Sequence, residues 1–278
     1  MTPDAAALER GAFIDAGGYN THYHEAGSGD TVLFVHGSGP GVTAWANWRL
    51  MLPVFARRYR VLAPDVLGFG YSDRPGGIRY GKDVWVSHVI AFLEAKGVAN
   101  CHIVGNSMGG ALALALAVKR PDLVDQLVLM GSAGISFPIT RGLDAVWGYE
   151  PSRDAMRDLI ANYFAYDESI ATDDLVDMRY NASIQPGFQE SYGQMFPAPR
   201  QSGVDDLATP RAEIAAIAAP VLLVHGREDR VIPVATSYEL FALIPDAQLH
   251  VFGQCGHWTQ IERTAAFNAL VLTFLSGV

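Results

Sequence analysis

The sequence predicts an α/β fold: a mostly parallel central sheet with helices on both faces and a helical cap inserted between two of its strands. Short, nearly continuous apolar runs recur along the chain, as expected where helices cover both faces of a parallel sheet. Helix-length segments separate those runs, and from 133 to about 207 the β-rich runs give way to helical segments punctuated by Pro and Gly. With 278 residues, half of them apolar and 18% charged, the chain can bury one large core and is neither disordered nor fibrous.

The elements follow in order. Segments 12–14 and 20–25 suit an antiparallel edge, which mixed sheets often carry. TVLFV at 31–35 reads as a buried strand, 45–55 as a helix and RVLA at 60–63 as the next strand. Helix 82–96, strand HIV at 102–104 and the alanine-rich helix 108–119, stopped by Pro121, continue the βα rhythm before strand QLVLM at 126–130. Helices at 152–163, 172–183 and 187–195 form the cap, the second opening on the acids of TDD. The rhythm returns with VLLV at 221–224, a last strand at 249–252 and a last helix at 261–275. The division is therefore core at 1–132, helical cap at 133–208 and core again at 209–278, with a cleft between cap and core.

Twenty Lys and Arg against 29 Asp and Glu give a net charge of −9, which opposes attraction to nucleic acid or anionic lipid. Cys101 and Cys255 cannot build a disulfide framework and neither has a metal-spaced partner, so a reducing compartment is expected. The N-terminal stretch carries acids where a leader needs a basic patch, and no apolar run approaches a membrane span. These features describe a cytoplasmic protein that meets a small molecule, with no nucleic-acid or membrane partner.

The strongest local signal is Gly105-Asn106-Ser107-Met108-Gly109, between an apolar run and a helix. A serine at a sharp strand-to-helix turn is pushed into the cleft, and flanking glycines let neighbouring backbone approach. A serine that only caps a helix needs no such glycines. Serine requires a base oriented by a third group. His257 follows the last strand and suits the base; the other seven histidines lie in the N-terminal hairpin, a glycine turn, a helix, or in or beside strands. Asp229 follows VLLV and suits the acid, with Glu228 a close rival and Asp65 a distant one that spacing does not exclude. GSAGIS, after the preceding strand, holds no carboxylate. The order Ser107, Asp229, His257 is that of an α/β-hydrolase.

His36-Gly37-Ser38-Gly39-Pro40-Gly41, after the first parallel strand, can aim backbone N–H groups into the cleft. The N–H groups of Ser38 and Met108 would form an oxyanion hole. The segment lacks the GK[ST] of a phosphate loop and the GxGxxG of a dinucleotide site.

Together HGSGPGVTAWANW, APDVLGFGYSD, VGNSMGG, RYNASIQPGFQESYGQMFP, VHGRED and FGQCGHWTQIE resemble the meta-cleavage product hydrolases, from about residue 17 to 274. The likeness is greatest to the 2-hydroxymuconic semialdehyde and alkyl-substituted branch. The resemblance implies serine-triad cleavage of a carbon–carbon bond in ring-fission products of catechols. It matches Ser107, Asp229 and His257 to the triad and Ser38 and Met108 to the oxyanion donors. It further matches Arg179 to the cap arginine that meets the dienoate, and Asn47, Asn106 and Trp258 to pocket residues. A planar guanidinium suits a carboxylate, although pairing with Asp174 or Asp177 on a solvated helix is the alternative. Asn47 and Asn106 could instead satisfy local backbone and Trp258 fill core, and Phe137, Ile139, Trp147 and Phe188 are possible apolar cap contacts.

The implied substrate is a 2-hydroxy-6-oxohexa-2,4-dienoate with hydrogen or small alkyl at C6, giving 2-hydroxypenta-2,4-dienoate and a short carboxylic acid. Ketonisation precedes attack by Ser107, through an acyl-enzyme or a gem-diol. No metal or organic cofactor is expected, and the resemblance implies a homo-oligomer. The alternatives are a carboxylesterase or lactonase using the same triad, and a hydrolase-fold small-molecule receptor.

Overall fold

The computed structural model describes residues 5–277; the first four residues, at the head of the acidic N-terminal stretch, and Val278, at the end of the second core segment, lie outside the described residues. Eight strands form one sheet: β1 (Ala12–Asp15), β2 (Asn20–Ala26), β3 (Thr31–Val35), β4 (Arg60–Pro64), β5 (Cys101–Asn106), β6 (Val124–Met130), β7 (Val221–Gly226) and β8 (Ala247–Phe252). Their order is β1-β2-β4-β3-β5-β6-β7-β8. β1 and β2 pair antiparallel, as do β2 and β4, while the remaining pairs are parallel.

Every residue of β3 and β7 is buried, which explains their unbroken apolar lettering. Alternate residues feed two cores. Leu33, Leu62, Ile103, Leu127 and Leu223 face one layer with Phe92 and Leu112, and this core continues into the cap through Val146, Phe164 and Val176. Val32, Phe34, Val61, Val104, Val128 and Leu222 face the other, with Trp48, Phe55 and Phe267. Chain reversals in a parallel sheet put the C-terminal strand ends along one edge, where the loops after β3, β5, β7 and β8 meet.

The region expected as one helix at 45–55 is two, Ala44–Trp48 and Leu52–Phe55. Thr43 Oγ1 caps the first by accepting from Ala46 N at 2.9 Å. Met51 N donates to Trp48 O in a tight turn, and Pro53 is tolerated because it falls in the first turn of the second helix. The helix expected at 261–275 is also divided, into Thr259–Glu262 and Thr264–Leu275. Arg263 breaks it at φ −124°, its guanidinium donating to the carbonyls of Gly253 and Gln254.

Between β6 and β7 the chain forms helices Arg141–Trp147, Arg153–Leu159, Asp173–Ser183, Phe188–Met195 and Gln201–Leu207, then the short helix Arg211–Ile214. Arg141–Trp147 and Gln201–Leu207 fall outside the helices expected from sequence; each spans only about two turns. Arg153–Leu159 continues into a π-helical turn, Ile160–Phe164. Among the described residues no helix is long and apolar enough to cross a membrane.

Candidate active site

Ser107 stands between β5 and the helix Met108–Lys119 with φ 57° and ψ −117°, a left-handed backbone costly for any side chain but glycine. The flanking glycines permit it. A Cβ at Gly105 would lie 2.5 Å from Gly109 O, and one at Gly109 would lie 2.2 Å from Val35 O. Strand, turn and helix therefore cross at a separation only glycine allows, and the serine side chain is carried into the cavity.

The side chain of Asp229 is fully buried and accepts three hydrogen bonds. Val231 N and Ile232 N donate to Oδ1 at 2.7 and 2.9 Å. His257 Nδ1 donates to Oδ2 at 2.7 Å, and His225 Nε2, hydrogen-bonded to Ile232 O at 3.0 Å, lies 3.2 Å from the same oxygen. Burial alone would raise this carboxyl, but the histidines beside it outweigh burial and hold it well below the usual carboxylate range. An ionised Asp229 favours the neutral tautomer of His257 with its proton on Nδ1, which leaves Nε2 as the acceptor nitrogen. Neither rival acid is free for this task. Glu228 accepts from Cys255 N at 3.1 Å and pairs with Arg227. Asp65 lies under the N-terminal hairpin, accepting from His22 Nδ1 at 2.9 Å, Ala44 N and Tyr71 N.

The loop bearing His257 is tied to the cap, since His257 N and Trp258 N both donate to Phe164 O, at 2.8 and 3.2 Å. Glu262 reinforces the tie, accepting from Gly256 N at 2.7 Å on one side and Tyr166 N at 2.8 Å on the other.

Met108 begins its helix, where backbone N–H groups have no intrahelical acceptor. Ser38 is 3% exposed and lines the same cavity as Ser107 and His257. Asn47, Asn106, Arg179 and Trp258 also line this cavity. Asn106 Nδ2 donates to Met130 O at 3.2 Å, while buried Asn47 Nδ2 has no partner in the described structure.

Arg179 is 2% exposed, and no carboxylate among the described residues pairs with it. Asp177, one of its alternative partners, instead binds Arg153 at 2.5 Å, and no ion pair joins Arg179 to Asp174. Its guanidinium lies 5.2 Å from the Trp258 ring and 6.0 Å from the Phe164 ring. A Cβ at Gly39 would meet its Nη2 at 2.7 Å, so glycine there gives the cation its space. Burial without a counter-charge pulls the guanidinium down to about 10, from 12.5.

Each site residue expected from sequence thus borders one cavity or, for Asp229 and Met108, adjoins a residue that does. Four apolar cap contacts stand differently. Phe137, Ile139 and Phe188 do not line the cavity; they pack within the core that joins cap to sheet. Trp147 instead hydrogen-bonds Ser38. The apolar walls are Val42, Leu143, Val146, Phe164 and Val231, and Phe164 stacks on Trp258 at 4.4 Å and 7°. Nothing local in the sequence distinguishes these from ordinary core residues.

A family model described as the alpha/beta hydrolase fold matches residues 30–264. A 2-hydroxymuconate semialdehyde hydrolase from Pseudomonas sp. strain CF600 is 56% identical over 96% of this chain and 94% of its own length. A 2-hydroxy-6-oxo-2,4-heptadienoate hydrolase from Pseudomonas putida is 53% identical over 97% of each. The solved structure of a meta-cleavage product hydrolase from Pseudomonas fluorescens IP01, a serine-to-alanine variant complexed with acetates, superposes with a TM-score of 0.95 at 52% identity, covering 98% of this chain and 99% of that one.

Proposed function

Since the chain belongs to the α/β-hydrolase fold family and, within it, to the meta-cleavage product hydrolases, we propose that it hydrolyses the C5–C6 bond of a 2-hydroxy-6-oxohexa-2,4-dienoate bearing hydrogen or a small alkyl group at C6. The observation that carries this reading is Arg179: a cation buried beside Ser107 and His257 with no carboxylate partner in the described protein is suited to a substrate that brings its own. A bidentate guanidinium–carboxylate pair fixes direction as well as position. The apolar walls from Leu143, Val146 and Val231 suit hydrogen or a short alkyl group at the other end.

Cleavage between carbons requires that the departing fragment leave as a stabilised anion. We assign the first step to ketonisation: the C2 hydroxyl loses its proton, C5 gains one, and the double bond moves to C3–C4. Ser107 Oγ then attacks C6 as its proton passes to His257 Nε2. Asp229 stabilises the resulting imidazolium without accepting the proton. The charge on the C6 oxygen falls to the N–H groups of Ser38 and Met108. Collapse breaks C5–C6, and the electron pair runs through C4 and C3 onto the C2 oxygen, which takes the proton held by His257 and returns the imidazole to its neutral form. Water, deprotonated by His257, releases the short acid from Ser107.

Asn47, Asn106 and Trp258 complete the substrate contacts in this reading. The buried free thiols of Cys101 and Cys255 suit the cytoplasm, and the family likeness suggests a homo-oligomer, which light scattering would count. Stopped-flow turnover of C6-hydrogen and C6-methyl dienols against an aryl ester tests the function. A large preference for the dienols is expected, and a large preference for the ester would replace the reading with a carboxylesterase.

A further inference from the structure

The segment after β3 is gripped from two sides. Beneath it, Val66 N donates to His36 Nε2 at 2.9 Å, so that nitrogen is unprotonated and Nδ1–H must donate to Gly37 O, at 2.7 Å. Gly37 C=O and Ser38 N–H belong to one peptide group, and in a trans peptide they point in opposite directions. Anchoring the carbonyl therefore aims the N–H.

From above, the cap takes hold of Ser38 itself. Trp147 Nε1 donates to Ser38 Oγ at 2.9 Å, and Tyr192 Oη donates to Ser38 O at 2.9 Å while shared with Val146 O at 3.0 Å. Trp147 and Tyr192 come from separate cap helices, Arg141–Trp147 and Phe188–Met195. Phe196 locks them together, stacked on Trp147 at 4.4 Å and 6° and edge-on to Tyr192 at 5.3 Å. All three rings are buried. Two buried donors from an inserted segment thus converge on one residue of the core.

We propose that Trp147 and Tyr192 are positioning residues that hold Ser38 as an oxyanion donor, so that the cap completes the oxyanion hole as well as covering the substrate. The loop between β3 and the following helix contains Gly37, Gly39 and Gly41, which leave it little stiffness of its own. With the cap bonds in place the donor is fixed before charge develops, the condition under which such a donor is most effective. The inference rests on the oxyanion assignment made above.

Protonation at C5 discharges the dienolate, whose charge the C6 oxygen shares through conjugation, whereas attack by Ser107 builds a full charge on that oxygen, and the two phases separate the proposal from a general loss of structure. Tyr192→Phe and Trp147→Phe keep an aromatic ring and remove one donor each. Loss of a whole oxyanion donor costs about 10²–10³-fold, so a loosened donor should slow the cleavage phase by about tenfold. Ketonisation, which removes charge from that oxygen, should not slow by more than about twofold and KM should change little, the pattern of an interaction that strengthens in the transition state for cleavage. Ser38→Ala, which keeps the N–H but removes the acceptor of Trp147, should slow cleavage as Trp147→Phe does, and the two combined should add little. Unchanged cleavage in both single variants, or ketonisation and KM worsening in step with cleavage, would overturn the proposal. Should the unaltered enzyme cleave an aryl ester but not the dienol, the carbon–carbon reading fails alone, and the same variants read on ester acylation decide the role of the cap.

Discussion

Replacing Arg179 by Met should make the free protein more stable and the enzyme worse. The guanidinium is buried, and its fall from 12.5 to about 10 corresponds to a folded-state penalty of ~3 kcal/mol on the charged form. For a cation with a depressed folded value that penalty is fully present below about pH 10 and fades between pH 10 and 12.5, so it applies in full at neutral pH. Met fills similar volume without charge but forfeits the contacts with the Trp258 and Phe164 faces, ~1 kcal/mol. The balance is a gain of ~2 kcal/mol, or a rise in Tm of roughly 5 °C for a chain of this size. Against it, the substrate carboxylate loses a charge-assisted partner inside a confined site, which should cost ~2–5 kcal/mol in kcat/KM, or at least about thirtyfold. Calorimetry of the free variant and dienol kinetics measure the two sides. A lowered Tm together with nearly normal kcat/KM would refute the claim that an unpartnered cation is stored here for an anionic ligand.

Other outcomes follow from the same geometry. Ser107→Ala should abolish bond cleavage while sparing ketonisation, seen as accumulation of the keto form by stopped-flow absorbance. Asp229→Asn should lower kcat by about 10⁴-fold through the wrong imidazole tautomer. The depressed folded value of Asp229 contributes stability that is present above the unfolded carboxylate range and disappears as pH falls below it, so acid titration should unfold Asp229→Asn with a weaker pH dependence between about 4 and 2. Gly109→Ala sets a methyl 2.2 Å from Val35 O and should leave little folded protein in a solubility assay. Leu143→Ala should shift kcat/KM toward larger C6 groups by about 10-fold or more per added methylene accommodated.

The residues proposed as the triad were legible as neighbours because each follows a strand whose apolar lettering is hard to mistake. Ser107, Asp229 and His257 lie beyond the ends of β5, β7 and β8, and a parallel sheet brings those ends to one edge. Arg179 was legible only through its surrounding motif, since its helix has acids at its start and no pattern that marks one cation as buried. The contacts of Trp147 and Tyr192 with Ser38 span 109 and 154 residues and have no local signature. The break at Arg263 was equally hidden, because it depends on the carbonyls of Gly253 and Gln254.

The carbonyl of Phe164 makes one atom of the inserted helices a shared anchor for the histidine loop. Because the backbone on either side of the Cα of His257 hangs from that one oxygen, a substitution that shifts Phe164 is transmitted straight to the imidazole without passing through any side chain.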